Sequence, residues 1–321
     1  MLQYLIILLD DTSTSFCHYE NTIKGNRLIP LNTLMDGIRF GMKENLMIQF
    51  VYPDYELPKK YKDAIEEIDH SKIISSLCED KCLFEDADVV VFHDWTGLSF
   101  SKFDEGKSFV LRTTKADLFD RYLFLKDVLS KVARMNVVIT DVESFNDDDF
   151  IKYKQILQTM SDHIEKMYVD GKAPQLNLLT DRMMLSQMNN CGAGFSNITL
   201  APNGKFYVCP AFYYSNNEDS VGDLTSGLKI KNKQLYKLEY APICRHCDAY
   251  QCKRCIWLNR KTTLEVNTPG HEQCIMSHLE RNATRVLLNN IRKHGLFLPE
   301  REDIKEIDYL DPFEKRNEWI N

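Results

Sequence analysis

The chain of 321 residues lacks any long apolar run. The run nearest its start, Leu5 to Leu9, falls far short of the roughly 20 residues a membrane helix needs. No cleavable signal with a basic flank precedes it. Blocks of positive charge are missing as well. The 40 Lys and Arg stand against 47 Asp and Glu, a net charge of −7 that argues against a nucleic-acid footprint. There is no internal repeat and no low-complexity linker. These absences predict a globular protein with no membrane and no nucleic acid among its partners, working in the cytoplasm. At 44% apolar residues, the chain can bury one large core or two ordinary ones.

What is present comes in two textures. The first, over residues 1–184, alternates short apolar runs with helical periodicity. Tyr4 to Leu9, Leu46 to Val51, Lys72 to Ser76, Asp88 to Phe92, Phe109 to Arg112, Val137 to Thr140 and Leu176 to Leu179 read as strands. Between them, Leu31, Leu34, Met35, Ile38 and Met42 follow a helical face, as do Leu118, Tyr122, Leu125, Leu129 and Val132. A helix capped by Asn146 should carry Asp147, Asp148 and Asp149 in its first turn, where carboxylates complement the helix dipole. Its apolar stripe is Tyr153, Ile156, Leu157, Met160, Ile164 and Met167. Strand–helix alternation predicts an α/β fold with a parallel sheet. Six or seven units suit a partial TIM-like (β/α)6-type barrel; an open doubly wound sheet is the other architecture the pattern allows.

The second texture, over 185–295, is rich in Gly, Asn, Pro and Cys. Ile198 to Leu200 and Phe206 to Val208 read as a hairpin around Pro202-Asn203-Gly204. A helix follows Cys274 and stops at Gly295. The segment 296–321 reads as a tail, with Phe313 and Trp319 as its anchors.

Seven of the ten cysteines lie in this second region: Cys191, Cys209, Cys244, Cys247, Cys252, Cys255 and Cys274. Disulfides are rare in a reducing cytoplasm, so the clustering points to metal ligation. Two thiolates separated by two residues can grip one metal or one cluster from a single turn. Soft thiolates select iron–sulfur clusters, zinc or copper(I) over hard cations. A structural zinc with four cysteine ligands is the alternative metal, and seven cysteines exceed what one zinc needs.

The spacing Cys191-x12-Gly204-x4-Cys209, then Cys244-x2-Cys247-x4-Cys252-x2-Cys255, then Cys274, resembles the SPASM domain. That domain is the auxiliary iron–sulfur module of radical S-adenosylmethionine (SAM) enzymes that modify peptides. The hairpin Ile198 to Pro210 and the tripeptide Gly222-Asp223-Leu224 are similar to it too. The quartet departs from the family spacing of x2, x5, x3. The resemblance implies one or two auxiliary [4Fe-4S] clusters. Cys244, Cys247, Cys252 and Cys274 would hold one; Cys191, Cys209 and Cys255 would contribute to the other.

The family also implies a partial barrel in front. In active members its first loop carries Cys-x3-Cys-x2-Cys, whose three thiolates leave one iron open for SAM. Here Cys17 alone remains, a candidate cofactor ligand, with Ser13 and Glu20 at the other two positions. The second strand ends in Tyr52-Pro53 and lacks the family's Gly-Gly-Glu-Pro stretch. The chain thus resembles a degenerate, pseudo-radical SAM protein, most like the CXXX-repeat peptide maturase group. Its implied partners are a ribosomally made precursor peptide and an active radical SAM enzyme. An active enzyme with a non-standard cluster at Cys17, and a zinc scaffold, stand as alternatives. Other candidates are His18, the half-motif Cys78-x3-Cys82 with Glu85, and an acidic barrel mouth of Asp10, Asp11, His93, Asp94, Asp141 and Glu143.

Overall fold

A computed structural model describes residues 2–304, apart from 24, 101, 102, 105, 216 and 217. Phe313 and Trp319 lie outside the described residues. In chain order the strands are β1 (Tyr4–Leu8), β2 (Met47–Val51), β3 (His70–Ser75), β4 (Val89–Phe92), β5 (Ser108–Thr113), β6 (Arg134–Ile139), β7 (Gln175–Leu176), β8 (Asn197–Leu200), β9 (Phe206–Tyr207), β10 (Gly222–Asp223) and β11 (Gly227–Leu228). The α-helices are α1 (Leu31–Lys43), α2 (Lys59–Glu66), α3 (Lys81–Asp86), α4 (Trp95–Phe100), α5 (Lys115–Arg121), α6 (Phe124–Leu129), α7 (Asp147–Val169), α8 (Asp181–Met184), α9 (Pro210–Ser215), α10 (Ile256–Thr263) and α11 (His271–Lys293).

The chain divides into two compact units. One comprises Met1–Thr113, Lys131–Thr140 and Gly192–Tyr240; the other comprises Thr114–Ser130, Asp141–Cys191 and Ala241–Asn321. In the first, the strands run β6-β5-β4-β3-β2-β1-β8-β9. Every pairing from β6 through β1 to β8 is parallel, and β8 to β9 is antiparallel. This order does not return on itself, so the sheet is no closed barrel. Strands such as β4, Val-Val-Val-Phe, are nearly all apolar, as a parallel sheet covered on both faces requires. Helix α1 lies close on this sheet because it presents glycines there. A Cβ at Gly41 would come within 2.7 Å of Ile48 Cδ1, and one at Gly37 would collide with Leu200.

In the second unit the long helices α7 and α11 pack together. Asn146 caps α7 in a full capping box with Asp149, and all six residues of the predicted stripe are buried. Helix α11 buries Leu287, Leu288 and Ile291, but also Glu280 and Arg281.

Two expectations need correction. The helical face 118–132 is two helices, α5 and α6, because the chain tightens at Tyr122–Leu123. There Leu125 and Lys126 donate to carbonyls only three residues back. The predicted strand Leu176 to Leu179 ends after Leu176. The Thr180 hydroxyl accepts the Leu176 N–H at 2.8 Å, and the Leu176 carbonyl accepts from Leu179 and Thr180, which turns the chain.

Candidate functional site

Four of the seven cysteines converge. Cys244, Cys247, Cys252 and Cys274 line one pocket of the second unit, with Arg254, Gln273, Ser277 and His278 beside them. The pocket is small and partly open to solvent. Local turns bring the sulfurs there. Cys244 opens a short 3-10 turn, Cys244–His246, and the Cys247 N–H donates back to its carbonyl at 3.2 Å. The Cys252 N–H likewise donates to the Ala249 carbonyl at 3.0 Å. Each turn then aims a backbone N–H at a sulfur. Ala249 N donates to Cys247 Sγ at 3.4 Å, and Arg254 N to Cys252 Sγ at 3.4 Å. Cys274 sits in the first turn of α11, where the helix dipole favours a thiolate.

Burial opposes charge at these sulfurs. It pushes the Cys244 thiol up to about 12, with Cys252 adding repulsion, and the Cys247 thiol up to about 11. Cys252 is also raised by burial, against hydrogen bonds from Ser277, the Arg254 N–H and Gln273. Such thiols are inert on their own. A bound cation inverts this balance and deprotonates them outright. Four thiols with amide donors to the sulfur atoms fit an iron–sulfur cluster, and the same donor set fits zinc. Among the described residues, no three His, Cys, Asp or Glu groups stand close enough together to hold a single ion.

His278 was not foreseen. Its Nε2 lies 3.5 Å from Cys247 Sγ. The signal was available: Cys274 and His278 are four residues apart on one helix and therefore share a face. The other three cysteines fall elsewhere. Cys191 donates its N–H to the Lys253 carbonyl at 3.0 Å, and Cys255 begins α10 as its N-cap. Cys209 belongs to the first unit and precedes α9.

Behind the pocket, Gln251 Nε2 donates to the Ser277 carbonyl at 2.6 Å and to Glu280 Oε2 at 3.3 Å. Tyr153 donates to Glu280 Oε1 at 2.8 Å. Burial raises the Glu280 carboxyl from its ordinary 4.5 to about 7. The folded state thus holds this proton longer than the unfolded chain does. The resulting stability is complete below pH 4.5 and is lost as pH rises through 7. The full swing is on the order of 3 kcal/mol. Urea denaturation across pH 5 to 8 should show Glu280→Gln with a flatter decline than wild type. Parallel curves for the two proteins would count against this assignment.

In the first unit, the loop after β1 is held by protein contacts. Ser13 is fully buried, donates to the Val51 carbonyl at 2.7 Å and accepts from the Asp10 N–H at 3.0 Å. Arg112, at the end of β5 and 3% exposed, reaches under the loop. Its guanidinium donates to the Cys17 carbonyl at 3.0 Å, the Tyr19 carbonyl at 2.6 Å and Glu20 Oε2 at 2.6 Å, and lies 3.0 Å from His93 Nδ1. Thr14 Oγ1 meets the other nitrogen of His93 at 2.7 Å. Burial and the Arg112 charge both lower the His93 pKa. Two of the three cluster positions are therefore occupied by groups already bonded within the protein, and a guanidinium sits beside them. These residues do not fit a SAM-binding cluster. Cys17 itself is exposed.

The remaining candidates have local work. His18 Nδ1 lies 2.9 Å from the Ile139 carbonyl. Asp10 accepts from Thr12 and from Tyr55; Asp11 pairs with Arg27 at 3.1 Å and accepts from Tyr213. Asp94 caps the start of α4, Asp141 accepts the Lys115 N–H, and Glu143 pairs with Lys261. The expected acidic mouth is thus a set of separately bonded carboxylates, with Asp141 and Glu143 in the second unit and the others in the first. Cys78 and Cys82 flank Asp80, the N-cap of α3. No helix among the described residues is long and apolar enough to cross a membrane.

The parallel sheet and its helices define an α/β fold with an open, partial-barrel sheet. Solved structures of anSMEcpe share it. The polyhistidine-tagged protein with bound AdoMet matches with a TM-score of 0.63 at 13% identity, over 91% of this chain and 100% of that one. The native protein with bound AdoMet and Cp18Cys peptide matches with a TM-score of 0.61, also at 13% identity and over the same shares. No protein-family model and no curated protein matches the sequence.

Proposed function

We propose that this chain is a peptide-maturation protein that binds an auxiliary [4Fe-4S] cluster and does not cleave SAM itself. The carrying observation is the convergence of Cys244, Cys247, Cys252 and Cys274 on one pocket. When bound, a cluster supplies one-electron transfer. The protein's part is to hold it on four thiolates, give amide donors to two of the sulfurs, and limit its exposure to water. By the resemblance of the sequence, Cys191, Cys209 and Cys255 are proposed as further metal ligands, and residues 185–295 as the extent of the module. The loop bonded to Arg112 supports a degenerate radical SAM domain over residues 1–184.

The proposed partner is a ribosomally made precursor peptide, of the CXXX-repeat kind by the resemblance of the sequence. The structural neighbour anSMEcpe was solved with a Cp18Cys peptide, which favours a peptide for this chain as well. An active radical SAM enzyme acting beside it in the cytoplasm would then supply the radical chemistry. Zinc is the second reading by ligand type, since four cysteine thiolates are a common zinc set.

The test is assay of the anaerobically purified, reduced protein with SAM. It should release no 5′-deoxyadenosine, and Cys17→Ala should leave its iron and sulfide unchanged. Release of 5′-deoxyadenosine, or loss of a whole cluster on Cys17→Ala, would sink the degenerate reading and move the active-enzyme alternative forward.

A further inference from the structure

Arg254 is out of place for a spacer residue. Its side chain is among the largest fully buried ones, at 1% exposure. It lines the four-cysteine pocket, and its guanidinium donates to Asn267 Oδ1 at 2.8 Å, which fixes its position. Its backbone stands at φ 45°, in the left-handed region that favours glycine. Glycine would satisfy that backbone at lower cost, so the strain accompanies a side chain retained for another purpose. A guanidinium is always protonated in a protein, so this is a fixed buried positive charge. Burial disfavours that charge, and the opposing attractions come from Cys244, Cys191 and Cys252.

We propose that Arg254 is a tuning residue of the pocket, a permanent positive charge that favours the reduced state of a cluster held by Cys244, Cys247, Cys252 and Cys274. This rests on the iron–sulfur reading above. A cluster on four thiolates is anionic, and reduction adds one electron and one further negative charge with no bond made or broken. A nearby fixed cation stabilises the more negative state more strongly, and low exposure to water keeps that effect large. The cation therefore raises the reduction potential.

The experiment compares wild type, Arg254→Gly and Arg254→Lys after anaerobic purification. Iron, sulfide and zinc are counted, and the midpoint is read by dithionite titration followed by visible absorbance. Glycine suits the left-handed backbone and removes the charge together with the side chain's bulk and its bond to Asn267; lysine keeps the charge and most of the bulk. The glycine variant should retain its cluster with reduction at least tenfold less favourable, about 59 mV lower for one electron. The lysine variant should stay near wild type. Iron lost from the glycine variant but kept in the lysine variant would overturn the tuning role and make Arg254 a structural support of the site. An unmoved midpoint in a fully loaded glycine variant overturns the proposal and leaves the cysteine assignment standing. Equal loss of iron from both variants also overturns it, because the charge then makes no difference. Zinc without sulfide in wild type overturns both this proposal and the reading beneath it.

Discussion

Protein carrying Cys252→Ala is expected to lose about four iron and four sulfide per chain relative to wild type, when both are prepared anaerobically. Cys252 sits in the middle of the ligand set. Its sulfur accepts the Arg254 N–H, and its own N–H closes the turn that follows Cys247. Alanine leaves that turn's backbone intact, so the loss should report on the missing thiolate. Cys274→Ala should behave alike, although it lies on a different element, α11. Cys78→Ala serves as a control, since that thiol lies in the first unit at a helix cap. Retention of full iron and sulfide by Cys252→Ala would refute the assigned ligand set. Zinc in wild type, lost in the same variants, would keep the ligands and change the metal.

Arg112→Ala should destabilise the protein by about 3 kcal/mol in urea denaturation. The Glu20 partner is 67% exposed, so that ion pair contributes little. The weight lies with the carbonyls of Cys17 and Tyr19 and with the ring of His93, which the guanidinium satisfies together. Removing it leaves the buried Tyr19 carbonyl without its donor, at about 1 to 3 kcal/mol, and costs less at the part-buried Cys17 carbonyl and His93 ring. Arg112→Lys should recover only part of the loss, because an ammonium cannot reproduce the planar fork. A loss under 1 kcal/mol for alanine would mean that the loop is held by something else.

Much of the fold was legible because parallel strands and amphipathic helices leave strong periodic traces. The α7 stripe and its Asn146 cap could be read residue by residue, and so could the hairpin around Gly204. The break between α5 and α6 could not, since a helical stripe runs smoothly through Tyr122 and Leu123. Thr180 ended β7 through one hydroxyl, a contact that no periodicity encodes. At the site, the resemblance to the SPASM domain set Cys244, Cys247, Cys252 and Cys274 together as proposed ligands, and the fold brings the four to one pocket. Arg254 looked like ordinary spacer, because its burial and backbone angle are properties of the folded turn. Arg112 lies 92 residues from Glu20 in sequence, and only the sheet brings the two together.

The pairing of β1 has a consequence for how the chain is made. β1 gains one neighbour early, from β2, but its other neighbour is β8, in the register Tyr4↔Asn197. During synthesis that edge of β1 must wait for more than half of the chain. Closing so long a loop is entropically costly and slow, and an open apolar edge invites pairing with other chains. A chain ended at residue 184 would keep that edge open permanently, and should be prone to self-association where the longer chain is not.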